Sequence, residues 1–411
     1  MIKKGIHIYK DAFSGLSKSV WLLSLIMFIN RAGAMVLTFM SLYMIKDLGY
    51  SKGEAGWVMG AYGLGSILGA YLGGQLTDRF GFYYVQLCSL LGSILFLIML
   101  IFVKDYYGIL LTVFLFSTIT DMLRPANSVA ISLYSKPENL TRSFSLMRFA
   151  VNLGFSVGPA VGGFVAEYIG YKWVFGLDAV TCFLAAGVLF LFLPYDPQYK
   201  PEKKESDAPK GLSAYKDIPY LQFIIMTSIW GILFFQLFSS TPVFWSQEFS
   251  YTESTIGQLL ALNGLIIVLI EMPIIRYLEH ITRYMYMVTI GSVMLVLSFG
   301  LLVISTAHVS FAIGYIIFMS LAELFAMPFM TNYAVSRASE DRRGQYMALY
   351  AMAYGVAHIV APLGSLQLAD LWGFNVTYWI CLVMSVVVAL VFFYMGRMQV
   401  AKSNRATPLQ E

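Results

Sequence analysis

Arg31, Asp121, Arg124, Arg148, Glu271 and Glu323 are charged side chains that lie inside long apolar stretches of this sequence. Hydrocarbon tolerates a charge only when it is paired or hydrated, so charges kept there are candidates for ion or proton chemistry. A carboxylate deprived of water takes up a proton more readily, and an adjacent guanidinium opposes that tendency. A substrate or a helix movement that shifts the balance would release the proton. Asp121 and Glu323 are therefore expected to be proton carriers or substrate counter-ions. Arg124 follows Asp121 by about one helical turn, so both share a face. Arg31, Arg124 and Arg148 are the expected partners that hold or discharge the acids, and Glu271 is a further candidate acid. The alternative is a fixed ion pair, Asp121 with Arg31 or with Arg148, that never titrates.

The elements that carry these residues follow from composition. With 58% hydrophobic and 12% charged residues in 411, the chain lies far outside the range of soluble domains. Its apolar runs reach the length that crosses a hydrocarbon core of roughly 30 Å. Twelve spans are predicted, near 20–44, 55–76, 84–103, 108–133, 143–168, 173–193, 219–243, 255–277, 285–306, 311–336, 345–370 and 376–396. The two halves are degraded copies of each other. At an offset of 201, Tyr50, Gly56, Gly63 and Asp78 match Tyr251, Gly257, Gly264 and Glu279. At 203, Pro125, Leu146, Pro159 and Gly170 match Pro328, Leu349, Pro362 and Gly373. The expected fold is an all-α integral membrane protein of two pseudo-symmetric six-helix bundles around a central site. Residues 1–193 form the first bundle, 194–218 a Pro- and Lys-rich linker, and 219–411 the second.

Lysine and arginine set the orientation. Twenty fall at the termini and in or at the edge of loops 2–3, 4–5, 6–7, 8–9 and 10–11, against four (Lys46, Lys52, Lys104, Lys172) on the other side. Both termini and the linker are thus expected in the cytoplasm of a multi-pass cell (inner) membrane protein. No cleavable leader is predicted, because the basic start runs into a full-length span. The net charge of +4 reflects this topology and calls for no nucleic-acid partner. Cys88, Cys182 and Cys381 lie in spans without metal or disulfide spacing and are expected to serve packing. His7, His280 and His308 fall outside the spans; His358, in span 11, could relay protons. Glu167 and Asp178 are expected near the outer surface, and Trp57, Trp173, Trp245 and Trp372 as interfacial anchors. No metal cluster, nucleotide-binding loop or nucleophile–base pair is present, so neither a cofactor nor an enzyme activity is expected, and any uphill transport draws on an ion gradient.

Two motifs carry a family resemblance. Between spans 2 and 3 the chain reads Gly74-Gln-Leu-Thr-Asp78-Arg79-Phe-Gly81, and in span 5 it reads Asn152-Leu-Gly154-Phe-Ser-Val-Gly158-Pro159-Ala-Val-Gly162-Gly163. These resemble the loop 2–3 and span 5 signatures of the major facilitator superfamily, and together look most like its drug:proton antiporter branch. The resemblance implies that Asp78 and Arg79 latch the cytoplasmic face against the start of span 11, near Gly344. It also implies that the span 5 glycines meet span 8 where the halves open and close. Phe82 and Tyr83 stand where the family carries basic residues, which weakens the latch. In physical terms, glycine at Gly74 removes a side chain where helices approach closely, and Pro159 frees a carbonyl inside its helix.

Three functions fit these residues. The first is a monomeric, proton-coupled antiporter that exports small lipophilic or drug-like molecules by alternating access. Its cavity would draw on Trp230, Phe234, Phe235, Phe238, Tyr350, Tyr354, Met27 and Phe28, each of which could equally face lipid or a neighbouring helix. The second is a carrier for a specific metabolite, anionic in the form the buried arginines would favour. The third is a non-transporting receptor or scaffold built on the same fold.

Overall fold

Local sequence starts and stops each helix. Ser51 and Glu54 form a reciprocal capping box at the head of the second helix, satisfying amides that a helix start leaves open. Asp105 caps the fourth through Gly108 N at 2.7 Å. Gly81, Gly170 and Gly373 adopt positive φ where one helix turns into the next, a conformation that disfavours other residues. The computed structural model describes residues 15–193, 212–278, 283–339 and 342–406, and every regular element among them is helical. Residues 194–211 of the predicted linker, and the matched Glu279 with His7 and His280, lie outside the described residues.

Twelve helices result among the described residues. They are α1 (Lys18–Asp47, broken after Gly33), α2 (Lys52–Phe80), α3 (Phe82–Phe102), α4 (Tyr106–Tyr134, interrupted at Met122), α5 (Leu140–Tyr168) and α6 (Tyr171–Phe192). Then follow α7 (Ile218–Phe234, continued irregularly to Glu248), α8 (Glu253–Leu278), α9 (Tyr284–Val303), α10 (Val309–Arg337), α11 (343–372) and α12 (374–406). Among the described residues ten stretches are long and apolar enough to cross a membrane. The last of them, Gly344–Met398, contains both α11 and α12 across Gly373, while the glycines of α2 dilute its apolar character below that of the others. The predicted twelve-span, all-α fold is the one observed.

By their contacts the described residues fall into two compact units. The first holds residues 15–193 with Phe238–Pro273 and Pro362–Gln367; the second holds residues 212–237, Ile274–Ala361 and those from Leu368 onward. In the first unit α1 packs on α5 and α6, α2 on α4, and α3 on α4 and α6. In the second, α9 packs on α10. The duplication is visible as a repeated contact within the first unit. A Cβ at Gly257 would strike the Pro159 carbonyl oxygen, and a Cβ at Gly56 would lie 3.2 Å from the Pro362 carbonyl oxygen. Glycine on one copy meets the carbonyl of the internal proline on the other, twice.

Candidate functional site

Close approach of α2 to α4 builds the centre of the first unit. Gly65, Gly69 and Gly73 abut Phe114, Ser117, Thr118 and Met122, leaving no room for a Cβ. Gly74, the glycine singled out from the sequence, has open space beside it; its neighbour Gly73 makes the contact, because it faces α4. The approach delivers Ser66 of α2, whose hydroxyl donates to Asp121 Oδ2. Asp121 is fully buried at 0% exposure. It lies at the end of the first segment of α4, which is interrupted at Met122. Pro125 accounts for the interruption: it has no N–H to give the Asp121 carbonyl, and its ring crowds that group.

Two guanidiniums flank this carboxylate. Arg124 Nε lies 2.9 Å from Asp121 Oδ1, and Arg31 Nη2 lies 3.8 Å from the same oxygen. Arg31 is 4% exposed and its guanidinium stands 5.9 Å from the Phe155 ring centroid. Gly154 makes space for it, since a Cβ there would meet Arg31 Cβ at 2.7 Å. Asp121, Arg31 and Arg124 are thus brought together as expected.

Arg148 is not. It pairs with Glu271 of α8, and Asn152 Nδ2 donates to the other oxygen of Glu271 at 3.2 Å. The sequence suggested Asp121 as its partner, but the α5 face that carries Arg148 and Asn152 meets α8. The span 5 signature divides in the same way. Gly154, Gly158 and Gly162 pack on Arg31, Ala32, Met35 and Phe39 of α1, not on α8. Only Gly163 of the four presses on α8, against Glu253 and Gly257, while Ser156 Oγ donates to the Ala261 carbonyl at 3.0 Å. A helical stripe of small residues is wide enough to serve two neighbours, and spacing does not say which.

At the head of α8 the first unit is tied by charge. Lys46 Nζ at the end of α1 lies 2.7 Å from Glu253 Oε1, and the Tyr171 hydroxyl donates to the same oxygen at 2.7 Å. Glu167 accepts from the Ser254 amide at 3.0 Å, a favourable place for a carboxylate at a helix start. Neither Lys46, Tyr171 nor Glu253 was a sequence candidate. Lys46 was the available signal, being one of few cations assigned to its side. Asp78 and Arg79 are exposed at the other end of α2, Arg79 lying 5.0 Å over Phe80. Among the described residues Asp78 has no ion pair.

Two sequence expectations are corrected here. Asp178, expected near the outer surface, is 2% exposed and lines a small cavity at the break in α1 with Ala34 and Val36. Trp245, expected as an interfacial anchor, is fully buried, whereas Trp57, Trp173 and Trp372 are exposed.

In the second unit Glu323 is half-buried on α10 and acts electrostatically on Tyr354 of α11, whose hydroxyl lies 3.4 Å from that of Tyr350. His358 stacks on Phe235 at 3.8 Å, and Trp230 on Phe234 at 5.4 Å. A separate cluster, missed in the sequence, joins α7 to α10 and α11. Arg337 donates to both oxygens of Asp217 at 2.6 and 2.7 Å, and Tyr346 Oη donates at 2.9 Å. Burial pushes the Asp217 carboxyl up, but the bonds from Arg337 and Tyr346 outweigh it and hold the group below its ordinary value. No group of residues among those described could hold a metal ion.

A twelve-helix membrane protein with internally repeated contacts and paired charges within its helices has the form of a carrier. The chain belongs to the Major Facilitator Superfamily, whose sequence pattern matches residues 20–362 and 307–410. It is similar to the uncharacterized MFS-type transporter YttB of Bacillus subtilis, 25% identical over 92% of this chain and 95% of that one. A Na(+), Li(+), K(+)/H(+) antiporter of Planococcus maritimus is 23% identical over 90% of this chain and 93% of its own. The quinolone resistance protein NorA of Staphylococcus aureus is 22% identical over 85% and 89%. In fold it resembles a crystal structure of the peptide transporter POT, with TM-score 0.80 and 16% identity over 94% of this chain and 96% of that one. The protein is a membrane transporter and not an enzyme.

Proposed function

We propose that the chain is a proton-coupled antiporter that exports small lipophilic or drug-like molecules from the cell by alternating access. The observation that carries this is the fully buried Asp121, held by Ser66, Arg124 and Arg31. Helix movement that shifts these partners alters what holds the carboxylate, and in the proposed cycle proton uptake is tied to that movement. Similarity to an H(+)-coupled cation antiporter and to a quinolone resistance protein supports the same reading. In it, the halves 1–193 and 219–411 move about a shared site, Glu323 supplies the second acid, and the tie of Lys46 to Glu253 closes one end of the first unit. Both termini lie in the cytoplasm.

The charge balance speaks against an anion carrier. Arg31 and Arg124 face Asp121, Arg148 faces Glu271, and Asp178 adds a third carboxylate beside Arg31. With all three acids ionised, three arginines against three acids leave no surplus positive charge for an anion.

Transport into inside-out proteoliposomes tests the proposal. An acid-interior gradient should drive uptake of a fluorescent lipophilic cation, and Asp121→Asn should leave only gradient-independent flux. Uptake by the variant that still follows the gradient would assign coupling elsewhere.

A further inference from the structure

The break in α1 holds a polar recess around Asp178, an acid to which the proposed coupling through Asp121 and Glu323 gives no proton. After Gly33 the backbone leaves the helix at Ala34 (ψ 57°) and resumes at Val36. Asp178 of α6 lines the recess left by the break, together with Ala34 and Val36. Asp178 Oδ2, Asn30 Oδ1 and Arg31 Nη2 are buried without hydrogen-bond partners. All three residues line one small cavity, together with Tyr62, Thr120 and Cys182. It has room for about one water.

Two orphaned acceptors, one on Asp178 and one on Asn30, border the same space. Each is costly while unsatisfied. A single proton removes the conflict: bound to Asp178 Oδ2, it makes that oxygen a donor that Asn30 Oδ1 can accept, directly or through one water. We propose that Asp178, with Asn30 and Arg31 at the break in α1, is a second proton-binding site of the first unit.

The neighbouring charges say what the proton would do. Arg31 from α1, Tyr62 from α2 and Cys182 on α6 itself interact with Asp178, with Asp121 and Arg124 of α4 acting on Arg31 and Tyr62. No charged group of α3 or α5 among the described residues acts on Asp178. With Asp178 ionised, Arg31 is shared between Asp178 and Asp121; with Asp178 protonated, Arg31 is left to Asp121 alone. The four charged groups then carry one net positive charge, which an arriving cationic substrate would repel, returning the proton from Oδ2 to water. This last step rests on the antiport reading; the site itself does not.

Infrared difference titration of purified, substrate-free protein tests it. Wild type and the double variant Asp121→Asn/Glu323→Gln should both show a buried carboxyl that gains and loses its proton with pH. Adding Asp178→Asn to that double variant should remove the signal. An unchanged signal in the triple variant overturns the proposal, as does its absence from wild type. Should the triple variant fail to fold, the double variant still decides, since loss of the signal there would assign it to Asp121 or Glu323. Proton-gradient-driven transport measured on the same preparations separates the two claims. Transport without proton dependence beside an intact Asp178 signal removes antiport and keeps the site.

Discussion

Gly257→Ala should force α5 and α8 apart. The added Cβ would collide with the Pro159 carbonyl oxygen, and would lie 3.0 Å from its carbon and 3.2 Å from Gly163 Cα. All three are backbone atoms, so no side chain can rotate to relieve the clash. The related substitution Gly56→Ala meets the Pro362 oxygen and Leu366 Cβ at 3.2 Å each, which a few tenths of an ångström would relieve. Overpacking costs about 1–3 kcal/mol. Gly257→Ala belongs at about 2–3 kcal/mol and Gly56→Ala near 1 kcal/mol. At about 1.4 kcal/mol per tenfold, these weaken the closed contact roughly 30- to 150-fold and about 5-fold. Maleimide labelling of Thr255→Cys, at the head of α8, reports on that contact in a background lacking Cys88. Its rate should rise by those factors until the open form predominates, and Gly257→Ala should slow transport accordingly. Equal labelling of the two alanine variants, or a wild-type rate in Gly257→Ala, would refute the steric reasoning.

Two further outcomes follow from the ion pairs. Reversing Arg148 alone (Arg148→Glu) sets two carboxylates together and should impair transport; adding Glu271→Arg should restore it, with a coupling of about 0.5–3 kcal/mol in a double-mutant cycle of thermal stability. Additive effects would show that the pair is incidental. Asp217→Asn breaks a buried pair and should cost about 3 kcal/mol at neutral pH. Because the folded Asp217 carboxyl is held below its ordinary 3.8, its contribution is complete above that pH and is lost as pH falls below it. The gap in melting temperature between wild type and variant should therefore close on acidification, and a pH-independent gap would contradict the assignment.

What the sequence revealed followed the strength of its signals. Apolar length and the repeated prolines were enough for twelve helices, and the one-turn spacing of Asp121 and Arg124 placed them on one face. The partner of Arg148 was not legible, because a helix of small residues has more than one close neighbour and only tertiary packing assigns them. Asp178 was misplaced for a related reason. Counting from the start of its span puts it near the surface, but the break in α1 creates a polar recess at that depth, and a break without proline leaves no punctuation to read. Glu253 and Asp217 escaped notice because they stand at helix starts, where a carboxylate is ordinary. Their partners Lys46 and Arg337 come from distant parts of the chain.

The twin meeting of glycine with the carbonyl of an internal proline has a bearing on ancestry. A half-length progenitor pairing with itself about a two-fold axis would form this junction once from each partner, since a self-complementary interface repeats every contact. Fusion of two such copies freed the twins to diverge. Gly257 kept the junction that admits no side chain at all, while the one at Gly56 slackened.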